Sequence, residues 1–268
     1  LAQFARQDVV VALGGDGGDE VFGGYLRYRA GILLNRINFL LALSPSPFLV
    51  NFVGGNPRLQ KLLRHSTKMK LAERYRKFQS LIEKSELHPI LSDEIYELTQ
   101  SENNFTILWR SLEKIDALRQ MQECDLYSYL PGDLLVKADL ATMANSLELR
   151  SPFLDYRVVE LGLSLPHQYK IKNGETKYIL KDILSEYIPR ELFDRRKMGF
   201  GIPRAKWLRE ELRELVIEVL FSNEFKNRNW FNQKAVEAVV REHNSGKDLD
   251  RVIWPILMLE IWAKNWID

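Results

Sequence analysis

The chain has 268 residues, a formal net charge of +2, 46% hydrophobic residues and 28% charged residues. That length suits one large domain or two small ones, and the composition excludes a disordered or membrane-embedded chain. So balanced a charge disfavours a nucleic-acid reader, and the lone cysteine, Cys124, excludes an internal disulfide and fits a reducing compartment such as the cytoplasm.

The opening "LAQFARQDVVVAL" reads as a helix running into a strand. Its first residue falls partway into the helical pattern, so the sequence is expected to be a piece of a longer protein. "DVVVAL", residues 8–13, is β-branched and nearly continuous in apolar character, which predicts a central strand of a parallel sheet, buried on both faces. Directly after it, "GGDGGDEVFGGY" sets Asp16, Asp19 and Glu20 among six glycines. Ligands of parallel sheets sit beyond the carboxyl ends of the strands, where this loop lies. A dinucleotide motif fails because Glu20 stands where the third glycine belongs, and a calcium loop fails because the acids do not alternate. Two readings remain. Asp16 or Asp19 caps a helix start, or the amides of Gly14, Gly15, Gly17 and Gly18 approach a polyphosphate while carboxylates hold a bridging magnesium ion. The density of acids among glycines favours the second.

Further on, "LSPSPF" and "VGGNPR" mark loops at 43–48 and 53–58. Across 68–84, Leu71, Tyr75, Phe78 and Leu81 share one helical face, with basic residues on an opposite, solvated one. Helices are predicted at 116–130, 133–147, 157–165, 177–186, 206–221, 233–244 and 250–266. In the first of these Cys124 is at helical spacing from Leu118 and Met121, as a packed core thiol would be. Asp133 and Lys137 have the spacing of an i,i+4 pair, with Asp139 on the same helix. Alternation through Leu147, Glu148, Leu149 and Arg150 sends the two charges to one side, either as an ion pair bracing a site or with Arg150 binding a substrate carboxylate. Asp155 follows an extended Ser151-Pro152 step. Lys177 begins a helix from which it can reach phosphate. "RRKMGFGIP" puts Arg195, Arg196 and Lys197 ahead of Gly199 and Gly201, either a loop closing over phosphate charge or a solvated basic turn. Near the end, Glu260 and Lys264 interrupt the apolar run, so a buried helix bent at Pro255 is expected rather than a membrane span. Histidines 65, 88, 167 and 243 show no metal spacing.

Three blocks, "VVVALGGDGGDEVFGGYLRYRA", "YLPGDLLVKADLATMANSLELRSPFLDYRVVELGLSLP" and "KYILKDILSEYIPRELFDRRKMGFGIP", in this order resemble the glutamine-hydrolysing asparagine synthetase family as far as about Pro203. The resemblance implies an α/β fold with a parallel sheet of the PP-loop type (adenine nucleotide alpha-hydrolase-like), of which this segment is a predominantly helical part with the remnant of the sheet. It implies a cytoplasmic ligase that uses ATP and magnesium to make asparagine from aspartate and ammonia through β-aspartyl-AMP. Adenylation turns a poor electrophile into one with a good leaving group. By similarity Gly14 and Gly15 contact ATP, and Asp16 takes the acidic position needed to form the intermediate. Asp19 lies near magnesium and pyrophosphate with Glu20 in support, and Lys197 stabilises the leaving pyrophosphate. Gly14 departs from the family's serine, which removes a hydroxyl and leaves a backbone contact. The family's S-G-G-x-D-S loop and terminal cysteine do not occur. Residues 1–268 are therefore expected to be the C-terminal portion of a synthetase domain, inactive alone, partnered by an upstream glutaminase and compatible with a homodimer, with neither nucleic acid nor membrane as partner. A sibling amide ligase, of β-lactam synthetase or peptide-cyclising type, is the alternative within the family's chemistry. The acid at position 16 favours asparagine, since β-lactam formers resemble a tyrosine variant there. A non-catalytic helical scaffold is the alternative outside it.

Overall fold

The computed structural model describes residues 1–43, 70–82, 84–100, 104–112, 115–194 and 201–268. Apart from Leu43, the loops expected at 43–48 and 53–58 lie outside these residues, as do Arg195, Arg196, Lys197 and Gly199. The chain divides into two compact units, residues 1–78 with 104–195 and residues 79–103 with 196–268.

The first unit contains α1 (Ala2–Ala5), β1 (Val11–Leu13), α2 (Gly18–Phe22), α3 (Leu26–Leu43), α4 (Leu71–Gln79), α5 (Asn104–Ser111), α6 (Ala117–Tyr127), α7 (Leu135–Met143), β2 (Glu148–Arg150), α8 (Tyr156–Ser164), α9 (His167–Lys170), the hairpin β3 (Ile171–Lys172) and β4 (Glu175–Thr176), and α10 (Tyr178–Leu184). β1 and β2 run parallel, Val11 opposite Glu148 and Leu13 opposite Arg150, so the expected parallel pairing forms. The expected burial does not. Val9, Val10 and Leu13 are exposed, because among the described residues the sheet has two strands and its apolar side chains are left uncovered. α2 is the hub, with Val21 and Phe22 buried and α6, α8 and α10 packed around it. Beside it Tyr28, Tyr75, Trp109, Leu118, Met121 and Cys124 form the core. Cys124 is the packed thiol its spacing predicted, and burial pushes its pKa up to about 12.

In the first unit two helices differ from expectation. α4 stops at Gln79, so Leu81 leaves the shared face and is exposed, while Arg74, expected among the solvated cations, is buried beside Tyr75. The predicted helix over 133–147 begins instead with a π turn at Leu130–Leu134 and continues as α7. There the Leu135 amide bonds back to the Leu130 carbonyl. Five-residue closure moves Asp133 off α spacing, and no ion pair with Lys137 forms among the described residues.

In the second unit helices at Arg204–Arg209, Arg213–Leu220, Asn223–Arg228, Gln233–Asn244 and Asp250–Trp266 enclose Leu208, Leu220, Phe225, Val236, Ile253 and Leu257. The single helix expected at 206–221 is two, because the backbone leaves helical angles at Glu210 (φ −115°, ψ −89°). The break lets Leu208 and the trio Val216, Val219 and Leu220 all reach the core. The last two helices keep their predicted limits. On the final helix Val252, Ile253, Ile256 and Leu257 are buried, whereas Leu259, Trp262 and Trp266 are exposed, so the expected burial holds for one face. Glu260 is buried against Arg228 at 3.0 Å. Among the described residues no helix is long and apolar enough to cross a membrane.

Candidate active site

Residues 14–17 join the end of β1 to α2, whose first turn carries Asp19 and Glu20. The Gly14 amide donates to the Arg150 carbonyl at 2.7 Å, so the sheet ladder fixes where the loop begins. Gly17 then turns the chain at φ +85° and caps α2. A Cβ there would lie 2.2 Å from Cδ2 of Leu154, so a left-handed dihedral and a close contact both demand glycine. Open space surrounds Gly15, with nothing near its Cβ direction, and Phe153 borders Gly18. The loop thus rests on Phe153 and Leu154 on one side while the backbone at Gly15 stays accessible.

The three acids of this loop have different fates. The N-cap of α2 is Gly17, which has no side chain to cap with, and Asp16 makes no side-chain hydrogen bond to the start of the helix among the described residues. Glu20 is buried, accepts a hydrogen bond from the Tyr25 hydroxyl at 2.5 Å, and its pKa is raised by burial. It faces the interior and supports the loop from behind. Asp19 Oδ1 meets Lys177 Nζ at 3.1 Å. Asp16 is partly exposed and engages no side-chain hydrogen bond or ion pair among the described residues. The carboxylates are therefore sorted into one anchor, one ion-paired group and one available group.

Lys177 reaches this loop. It precedes α10 in the left-handed region at φ +54°, which L residues rarely adopt, and its ammonium stands beside both Asp19 and Gly18. The absence of a side chain at Gly24 makes room for the pair, since a Cβ there would lie 1.9 Å from Asp19 Oδ1 and 2.4 Å from Lys177 Cε. Glu148 and Arg150 form the expected ion pair at 2.7 Å, both exposed, at the end of β2. Asp155 caps α8 and is held by Arg157, whose hydrogen bond lowers its pKa to about 2. Asp133, Lys137 and Asp139 belong to the π turn and α7, and Lys197 lies outside the described residues.

A second layer holds α2 from behind. Gln122 Nε2 donates to the Glu20 and Val21 carbonyls at 2.6 and 2.7 Å, and Lys170 Nζ donates to Gln122 Oε1 at 3.0 Å. Asp125 Oδ2 accepts from Arg27 at 2.7 Å, Tyr28 at 2.5 Å and Tyr75 at 2.6 Å. Gln122, Lys170 and Asp125 are not singled out by the sequence reading, yet a signal exists. Leu118, Met121, Gln122 and Asp125 occupy i, i+3, i+4 and i+7 of one helix, so the two polar residues lie on the apolar stripe. Polar groups in such positions require buried partners.

The asparagine synthase family profile matches residues 1–264. The chain is 33% identical, over 98% of its length and 41% of the relative's, to "Asparagine synthetase [glutamine-hydrolyzing] 1" of Bacillus subtilis. It is 34% identical, over 100% of its length and 41% of the relative's, to a putative asparagine synthetase [glutamine-hydrolyzing] of Mycobacterium tuberculosis. The asparagine synthetase of Homo sapiens is 32% identical over half of this chain and 25% of its own length. The chain thus spans about two fifths of the length of the bacterial relatives. No solved structure matches.

Proposed function

Because the chain belongs to the asparagine synthase family, we propose that it forms the part of an ATP-dependent amide ligase in which residues 14–20 hold the nucleotide's phosphates and asparagine is made from aspartate. Aspartate's β-carboxylate is a poor acyl donor. Its attack on the α-phosphorus of ATP expels pyrophosphate and gives an acyl-adenylate, which ammonia attacks to release AMP and the amide. Glutamine would supply the ammonia, in keeping with the relatives' description as glutamine-hydrolysing.

In this reading the amides at Gly14, Gly15, Gly17 and Gly18 approach the polyphosphate, where glycine permits close approach. Asp16 and Asp19 fit magnesium, which takes one or two protein carboxylates and keeps its other positions for water and phosphate oxygens. When bound, that ion neutralises phosphate charge. Asp16 is the available ligand, and Asp19 is shared with Lys177, whose ammonium adds a positive charge at the loop. Lys197 stabilises the charge that develops on pyrophosphate. Glu20 and Gln122 keep α2 in place, and the Glu148–Arg150 pair braces the end of β2 where it meets Gly14.

The observation that most supports this reading is the partly exposed Asp16, without a side-chain partner among the described residues, beside the open backbone of Gly15. A scaffold that kept the acid for structure would engage its carboxylate. Binding of ATP to this chain, measured by calorimetry with and without magnesium, tests it. The expected result is magnesium-dependent binding weakened by about tenfold or more in Asp16→Asn, with the circular dichroism unchanged. Binding indifferent to magnesium and to Asp16→Asn, or none at millimolar ATP, would overturn it.

A further inference from the structure

A cleft of about 470 Å³ lies in the first unit, and none of residues 14–20 lines it. Its walls include Arg36 of α3, Asp116 and Arg119 at the start of α6, Pro166, and His167 and Lys170 of α9. Lys170 is the unusual member. It is 1% exposed, and its ammonium donates to two neutral acceptors, Gln122 Oε1 at 3.0 Å and the Leu163 carbonyl at 3.4 Å. An ammonium has three donors, and fully buried lysines are almost always paired with an acid. Among the described residues Lys170 has no such pair. The carboxylate among these wall residues, Asp116, accepts the Leu118 and Arg119 amides and so is engaged in capping α6. Arg119 gives its Nε to Glu123 at 2.6 Å, which leaves its terminal nitrogens available, and Arg36 is exposed at the rim. Three cations thus border a polar cleft whose lining acid, Asp116, caps α6, while Glu123 is paired with Arg119.

We propose that this cleft binds a small oxyanion, a carboxylate or phosphate group, seated on Lys170 with Arg36 and Arg119 around it. The charged groups facing Lys170 are of both signs. Burial depresses its pKa to about 8, Asp116 and Glu123 act against that depression, and Arg119 adds to it. A bound anion restores the charged form, so affinity falls as pH rises above that value. His167 also lines the cleft.

The test is calorimetric titration of the chain in a phosphate-free, low-chloride buffer, with inorganic phosphate in one arm and succinate in the other, at pH 7 and pH 9.5. The expected result is one saturable site for at least one probe, weaker at pH 9.5 by roughly tenfold or more. Lys170→Met and Arg119→Gln should each weaken it by about fivefold or more, and Asp16→Asn should not. Binding of phosphate alone identifies a phosphorylated ligand, and binding of succinate alone a carboxylate. If Lys170→Met fails to fold, the double variant Arg36→Gln with Arg119→Gln decides, both being surface positions. Absence of either probe's binding up to about 10 mM, or binding lost in Asp16→Asn and kept in the arginine variants, would overturn the assignment.

Discussion

Gly17→Ala perturbs the loop through two separable terms. The first is conformational. A left-handed φ of +85° costs an L residue about 1–2 kcal/mol. The second is steric, because the new methyl would sit 2.2 Å from Leu154 Cδ2 and 2.7 Å from its Cγ, which forces a shift worth about 1–3 kcal/mol. Together they predict a loss of about 2–5 kcal/mol, measured as the change in urea unfolding free energy by circular dichroism. Leu154→Ala removes both clashing atoms. Alone it should destabilise by about 1–2 kcal/mol, since Leu154 is only partly buried. In the double variant the steric term vanishes and the conformational one stays, so the two substitutions should be less than additive by about 1–3 kcal/mol. Additivity within about 0.5 kcal/mol would show that Leu154 does not confine the loop, and a Gly17→Ala cost below about 1 kcal/mol would refute the positive dihedral itself.

Three further outcomes follow from the same kind of reasoning. Lys170 has its folded pKa lowered from 10.5 to about 8 by burial, so between those values the unfolded chain binds more protons and stability rises with pH. The gain across that window should approach about 3 kcal/mol in an anion-free buffer and disappear in Lys170→Met; stability flat from pH 8 to 10 in the parent would contradict it. Lys177→Ala and Lys177→Gly both remove the 3.1 Å contact with Asp19, but only glycine relieves φ +54°, so the glycine variant should be the more stable by about 1 kcal/mol in urea melts, the reverse of their usual order. In the second unit, Arg228→Met strands the buried carboxylate of Glu260 and should cost about 3–5 kcal/mol, whereas Asp268→Asn, at a half-exposed contact of the same guanidinium, should cost under about 1 kcal/mol. Equal losses in those two variants would mean that burial does not govern the cluster.

What the sequence makes legible depends on how local the cause is. The turn at Gly17 and the parallel strand before it follow from composition over a few residues, and Gln233–Asn244 follows from a cap and a period contained within itself, Asn232 accepting the Ala235 amide. Failures occur where distant parts decide. Whether Val9, Val10 and Leu13 are covered depends on which strands lie alongside, and apolar character alone cannot count neighbours. The split at Glu210 serves packing of Leu208 and Val216 into one core, a demand that periodicity within 206–221 does not reveal.

The same distinction explains the site. Asp16, Asp19 and Glu20 are alike as letters, and their separation into an available acid, a paired acid and a buried anchor is imposed by Lys177 and Tyr25. Of those two, Tyr25 is five residues from its partner, whereas Lys177 arrives from more than 150 positions away through β4 and α10. A helix-starting lysine has an unremarkable sequence signature, so its role is visible only once Gly18 and Gly24 are seen to leave space for it. Removing that cation should therefore change the loop's electrostatics with little change to its backbone. If Asp19 were instead required chiefly as a fold contact, Asp19→Asn would destabilise the chain by well over the ~1 kcal/mol expected for a partly exposed pair, and urea unfolding of that variant would separate the two.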